Sequence, residues 1–340
     1  MQKNARSRTV IVFAALLFIL IISFILNLCV GTVQVDMKKI LEIFFTGTSD
    51  IKSRNIIMDI RLPRALMTLI LGGGLAVSGF LLQTYFANPI AGPYILGISS
   101  GAKMTVALFL IFIVGRSGKS SSVLLVLTAF AGSIIATGFI ILISNSVKNM
   151  ASLLAAGIMI GYICSSVTDF LIAFADDSDI VNLHSWSQGS FSGADMKGAL
   201  FCFFLVGITM VLVMLLSKSL DAFRLGENYA RSVGVNVRVC RVAIILMSSI
   251  LSACVTAYAG PVSFIGIAVP FLMRESLKSS KPIILIPASF MAGSIFCLLS
   301  DLLARRIFAP TELNISAVTS LFGAPIVIFM IIRRHRNREN

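Results

Sequence analysis

RLPRALMTLILGGGLAVSGFLLQTYFANPIAGPYILGISSGA, residues 61–102, is the stretch on which the fold turns. Arg61 and Arg64 flank Pro63, and an apolar run then extends from Ala65 to Phe86. That length crosses a bilayer, whose hydrocarbon core of ~30 Å takes about 20 apolar residues as a helix. The run is laced with small residues: Gly72, Gly73, Gly74, Ala76, Ser78 and Gly79. In lipid no hydrophobic force drives helices together, so small residues that let backbones approach supply the packing. An uncharged break follows, Asn88-Pro89-Ile90-Ala91-Gly92-Pro93, and a second apolar run begins at Tyr94. So short a break reads as a tight re-entry between two spans, not as a domain linker.

Composition extends this to the whole chain. The 340 residues are 57% hydrophobic and 13% charged, with a mean hydropathy of +0.96. A soluble domain carries about a quarter charged residues. The apolar residues fall in continuous runs of span length, which fits helices and not the alternation of a membrane barrel. The chain is an all-α polytopic membrane protein, expected to form a single permease domain over 1–340. The six cysteines include no CxxC pair and mostly lie in apolar runs, so they read as buried free thiols. Two histidines, His184 and His335, leave no histidine metal cluster to build.

The motifs resemble those of FecCD-type permeases, the membrane subunits of bacterial ABC importers for iron–siderophores, haem and cobalamin. The family pattern runs R-x-P-R, a glycine-rich helix, S-G-x-x-x-Q, then N-P-L-A-x-P-x-x-L-G-I-S-x-G-A. Arg61, Pro63, Arg64, Gly73, Gly74, Ser78, Gly79, Gln83, Asn88, Pro89, Ala91, Pro93, Leu96, Gly97, Ile98, Ser99, Gly101 and Ala102 meet it. Later, Gly266 and Pro270 fit G-x-I-x-F-I-G-L-x-x-P; Phe271 replaces the histidine that normally follows, while Arg274 is kept. Asp301 and Arg305 match D-x-x-x-R. The next element, E-L-P-x-G-x-x-T-A, is degraded here to Glu312-Leu313-Asn314-Ile315-Ser316, which leaves the local shape of an outer gate open.

Ten spans are expected: 10–30, 65–86, 95–114, 123–143, 153–174, 199–216, 242–258, the short run near 259–270, 283–303, and a last one ending at Ile332. The eighth is short for a full crossing and is counted because charge parity requires it. A helix is expected over 36–45, and Trp186 sits at an interface level after an acidic loop. The loop Gly115-Arg116-Ser117-Gly118-Lys119-Ser120 imitates the end of a P-loop, but Ile113 stands where the first glycine should be, no strand precedes it, and nucleotide binding is rejected. With both termini cytosolic, sixteen Lys/Arg fall inside and eleven outside, with Lys103 in a span, of the 28 present. This satisfies the positive-inside rule, so the +13 charge signals orientation and anionic lipid, not nucleic acid. Lys103 reads as a snorkelling lysine, and Asp169 lies near the outer end of its span.

The polar segment Lys218–Arg241 is the expected cytosolic coupling loop. The resemblance implies that Arg224, Gly226, Ala230, Arg231, Gly234, Val235, Asn236, Val237 and Arg241 belong to short helices that dock on an ATPase. It implies a fold like the cobalamin permeases, the type II ABC importer class. It also implies a second permease copy or homologue, two cytosolic ATPases that hold the ATP and magnesium, and an extracytoplasmic binding protein. The chain itself needs no cofactor, no metal and no catalytic residue. Arg61, Arg64 and Arg305 would be exposed at the outer mouth and pair with glutamates of the binding protein. The expected location is the bacterial cytoplasmic membrane, and the expected cargo a ferric siderophore, with haem or cobalamin as alternatives. An ion-coupled secondary transporter is the rival; it needs ionisable groups at mid-membrane, and only Lys103 and Asp169 offer themselves.

Overall fold

The computed structural model describes residues 2–31, 33, 35–45, 50–114, 122–147 and 150–339. The P-loop look-alike at 115–120 and Lys148 lie outside the described residues. The regular elements there are helical: α1 Gln2–Cys29, α2 Met37–Phe45, α3 Ile51–Asn55, α4 Leu62–Tyr85, α5 Ile98–Phe109, α6 Ser122–Ser146, α7 Met150–Ile172, α8 Asp177–Ser187, α9 Met196–Leu215, α10 Ser217–Arg224, α11 Glu227–Ser232, α12 Val237–Ala259, α13 Ile265–Leu277, α14 Pro282–Arg306 and α15 Ile315–Glu339. A π-helical turn, Ile56–Arg61, joins α3 to α4, and another, Leu110–Val114, extends α5.

Among the described residues, eight helices are long and apolar enough to cross a membrane: Arg6–Cys29, Ile51–Tyr85, Ser122–Ser144, Met150–Ile172, Met196–Leu215, Val237–Ala259, Pro282–Arg306 and Ile315–Arg333. Two of the ten expected spans are shorter. Ile98–Val114 is an apolar helix below full span length. α13 has 13 residues, or about 20 Å at 1.5 Å per residue, less than the hydrocarbon core.

The contacts group into two units, each built from separate stretches of the chain. One comprises Met1–Ala76, Ser190–Ile208 and Ser263–Asn340; the other, Val77–Gly189 and Thr209–Val262. In the first, α1 packs on α14, and α13 on α14 and α15. Its core includes Leu28, Val35, Ile40, Ile43, Ile57, Ala65 and Leu298. α14 meets the first half of α4 through glycines. A Cβ on Gly73 would fall 2.7 Å from the Phe290 ring, and one on Gly72 would fall 2.8 Å from the Gly293 carbonyl oxygen.

In the second unit α5 packs on α6 and α7, and α12 on α6. Here the expected third span is corrected. Its α-helix begins at Ile98, not Ile95, after a 3-10 turn over Pro93–Leu96. Ser133, midway along α6, donates its hydroxyl to the Ile98 carbonyl at 3.3 Å. Residues 86–97 therefore climb back to membrane depth before α5 starts. Irregular backbone survives there only when protein covers it. Phe86, Ala91, Gly92, Pro93, Leu96 and Gly97 are all buried.

The motif residues explain this excursion. Asn88 accepts the Ile90 amide on its side chain at 3.2 Å, closing a turn around Pro89. Gly97, at φ 72°, caps α5 in the left-handed region, which glycine enters without a Cβ clash. Gly101 lets α5 touch α6, since a Cβ there would fall 2.8 Å from both the Gly132 carbonyl oxygen and Ala136 Cβ. Ser78 on α4 bonds Ser248 on α12 at 2.8 Å. Gly74, Gly79 and Gln83 are buried along the same helix. Gly266 and Pro270 lie buried within α13, and Arg274 is half-buried in its last turn.

Candidate functional site

Two charged clusters stand out, one in each unit. The first gathers Arg61, Arg64 and Arg305, and it corrects the expectation of exposed cations. Arg61 is 4% and Arg64 7% exposed, and the Arg305 side chain is 10% exposed. Arg64 reaches Asp301 through Nε at 3.1–3.2 Å and through Nη2 at 3.0 Å. Its two Nη groups also reach both oxygens of Glu312 at 3.1 Å. Arg305, one turn beyond Asp301 on α14, pairs with its second oxygen at 3.1 Å and donates to Asn27 at 2.5 Å. Arg61 donates to the carbonyls of Leu28 at 2.7 Å, Cys29 at 2.9 Å and Val33, at and beyond the end of α1. These carbonyls lack helical partners, and a guanidinium fork satisfies several at once.

So the three arginines fasten the first unit to itself, tying α1, α4, α14 and the loop after α14. Exposed cations at that end include Lys38 and Lys39 on α2, with Lys52, Arg54 and Arg306. The degraded element has a use as well: Glu312, in the segment without its proline and glycine, is the second carboxylate on Arg64.

The second cluster is the loop of α10, α11 and the start of α12. α10 buries Leu220 and Phe223, and the Phe223 ring lies 6.0 Å from that of Tyr85, the last residue of α4. α11 buries Ala230. Gly226 and Gly234, at φ 108° and 84°, bracket α11, with open space where a Cβ would stand. Both are therefore used for backbone conformation and not for close packing. Asn236 caps α12, accepting the Val239 amide at 3.2 Å, as N-cap asparagines do. Arg241 pairs with Glu227 at 2.7 Å, while Arg224 pairs with Asp221 on the surface. Arg231, Val235, Asn236, Val237, Arg238 and Arg241 line a polar cavity of about 650 Å³.

On the outside of this loop Leu225, Tyr229 and Val233 are 58%, 47% and 53% exposed. They are apolar residues left uncovered in a charged, non-spanning segment. The sequence reading named the glycines and arginines of the loop and missed these three. Their four-residue spacing was the available signal. It also missed Glu227 and Tyr85, which no local pattern ties to Arg241 or Phe223.

The FecCD transport family profile matches residues 19–333. The chain belongs to the FecCD transport family. This FecCD-type permease is 32% identical over 337 residues to the hemin transport system permease protein HmuU of Yersinia pestis, covering 99% of each. It is 33% identical over 299 residues to the vitamin B12 import system permease protein BtuC of Vibrio vulnificus, covering 86% of this chain and 88% of that one. Its fold superposes with a TM-score of 0.83 on an inward-facing metal-chelate-type ABC transporter, at 27% identity over 95% of this chain and 99% of the other.

Proposed function

We propose that this FecCD-type permease is the pore-forming subunit of an ATP-driven importer of metal chelates in a bacterial cytoplasmic membrane. A ferric siderophore is the cargo to test first. Haem and cobalamin are the alternatives that the relatives support equally. The relatives act on an iron porphyrin and on a corrinoid, and the structural neighbour is of metal-chelate type, so the shared chemistry is a metal held in an organic chelate. Two such chains, or this one and a homologue, form the pathway. A binding protein delivers the chelate outside, and with Arg61, Arg64 and Arg305 buried, Lys38, Lys39, Lys52, Arg54 and Arg306 are the cations offered to it. Both termini and the α10–α11 loop face the cytosol. Two separate ATPases hold ATP and magnesium beneath that loop and drive the pore by rigid-body motion.

The observation that carries this reading is the uncovered row Leu225, Tyr229 and Val233 on a loop whose inner face is fastened to membrane helices. A subunit with no nucleotide site of its own needs a stiff protrusion for a motor to push. Co-purification of the tagged chain from its native membrane tests it. Wild type is expected to bring down an ATPase, and Leu225→Asp/Tyr229→Asp to lose it while still accumulating. Uptake of iron-loaded siderophores, haemin and cobalamin into proteoliposomes containing the complex then ranks the cargo. An ATPase absent from the wild-type preparation, or retained equally by the double variant, overturns the assignment.

A further inference from the structure

Arg241 is the point where the α10–α11 loop meets the membrane helices. Its Nη2 donates to Glu227, the first residue of α11, at 2.7 Å. Its Nη1 donates to the Ser144 carbonyl at 2.8 Å and the Val147 carbonyl at 3.4 Å. Those two oxygens belong to the last turn of α6 and the residue just past it, where helical carbonyls have no partner and the dipole favours a cation. Arg241 itself stands in the first turns of α12. One guanidinium thus joins the end of α6, the start of α12 and the start of α11.

The rest of α11 has few other ties. It hangs between Gly226 and Gly234, both in the left-handed region with nothing within 4 Å of a Cβ. Short glycine joints resist rotation poorly. Ala230 is its one buried residue. The Arg241 side chain is 14% and Glu227 28% exposed, so water screens their attraction less than at an open surface. The Tyr85 ring meets that of Phe223, with centroids 6.0 Å apart. The loop is therefore held at two places, by an aromatic contact under α10 and an ion pair under α11.

We propose that Arg241 and Glu227 form the positioning tie that makes α11 move with α6 and α12 as one body. This deepens the proposed function and rests on it: the ATPase pushes on the outer face of α11, and the tie carries that push into two spans. Without the tie α11 swings on its two glycines and the stroke is lost in the loop. The planar fork matters, because a lysine in place of Arg241 presents a point charge and cannot serve a carboxylate and a carbonyl in fixed directions.

The test is a pair of spin labels on cysteines at Ser146 and Asn228, both exposed, in a variant lacking the six native cysteines, with the distance measured in the full complex with and without ATP. With Glu227 intact the distance is expected to be the same in both states. With Glu227→Gln it is expected to shift when ATP binds, with the ATPase still bound. If Glu227→Gln does not accumulate, Arg241→Lys is read in the same way. A nucleotide-dependent shift with Glu227 intact overturns the tie, and so does an unshifted distance in the variant. Loss of the ATPase from the variant also overturns it, since the pair would then serve docking and not transmission. If no ATPase accompanies the parent chain, it is the importer reading that has failed.

Discussion

Asp301→Ala is expected to destabilise the chain by about 3–5 kcal/mol, the range for removing one partner of a buried ion pair. Asp301 is 1% exposed and receives Arg64 on both oxygens and Arg305 on one. Its removal leaves two guanidiniums facing each other in a site nearly closed to water. Glu312 cannot compensate, because it already holds Arg64 and its side chain is 42% exposed. Glu312→Gln is accordingly expected to cost only about 1 kcal/mol or less, as for exposed pairs. Pairing Asp301→Ala with Arg305→Met should recover part of the loss, since the second unpaired charge goes too. The native cysteines supply the readout. Five of six are buried, so a thiol-reactive dye follows their exposure during a thermal scan in detergent. If Asp301→Ala melts with wild type, the network has no structural weight, and the three arginines return as candidates for an outside partner.

Much of this architecture is legible in the sequence, for a physical reason. A bilayer fixes the length of a span and forbids uncovered polar backbone, so continuous apolar runs give helices directly. The runs beginning near Val10, Ala65, Val123, Leu153, Ala199, Val242 and Ile283 each fall in a helix long enough to cross. Less legible is depth. Asn88–Pro93 reads as a re-entry, but nothing in it says that the α-helix starts only at Ile98, level with the middle of α6; that follows from the bond between Ser133 and Ile98, 35 residues apart. A signal was present all the same. Ala91-Gly92-Pro93 and Ala259-Gly260-Pro261 are the same tripeptide, each followed within a few residues by Gly-Ile. Each precedes a short helix whose cap is left-handed, Gly97 at φ 72° and Phe264 at φ 64°. The Val262 amide donates to the Tyr94 hydroxyl at 2.9 Å, fastening one break to the other. Least legible are the partners of charges. A topology count places Arg64 at the outer end, but only the fold reveals Asp301, 237 residues away, as its counter-ion.

Gly72→Leu is expected to prevent accumulation of folded protein, and Gly72→Ala or Gly293→Ala to cost about 1–3 kcal/mol or more, as overpacking does. α4 and α14 cross where both have glycine. A Cβ on Gly293 would stand 2.5 Å from the Gly72 carbonyl oxygen and 2.5 Å from Ala76 Cβ. A Cβ on Gly72 would meet Cys297 Cβ as well as the Gly293 carbonyl. These obstacles are backbone atoms and Cβ atoms, which no rotamer change moves, so the helices must separate. Separation also stretches the bond from the Ser294 hydroxyl to the Leu69 carbonyl, 2.7 Å at the crossing. In lipid the loss is not offset by hydrophobic collapse, because contact itself holds the helices together. Gly138 and Gly207 are the internal controls. They sit in α6 and α9 with nothing within 4 Å of a Cβ, so alanine there should be neutral or stabilise by up to about 1 kcal/mol through helix propensity. The same thermal scan separates the two pairs. Equal effects at all four positions would mean that helix propensity, and not the close crossing, governs the glycines of this fold.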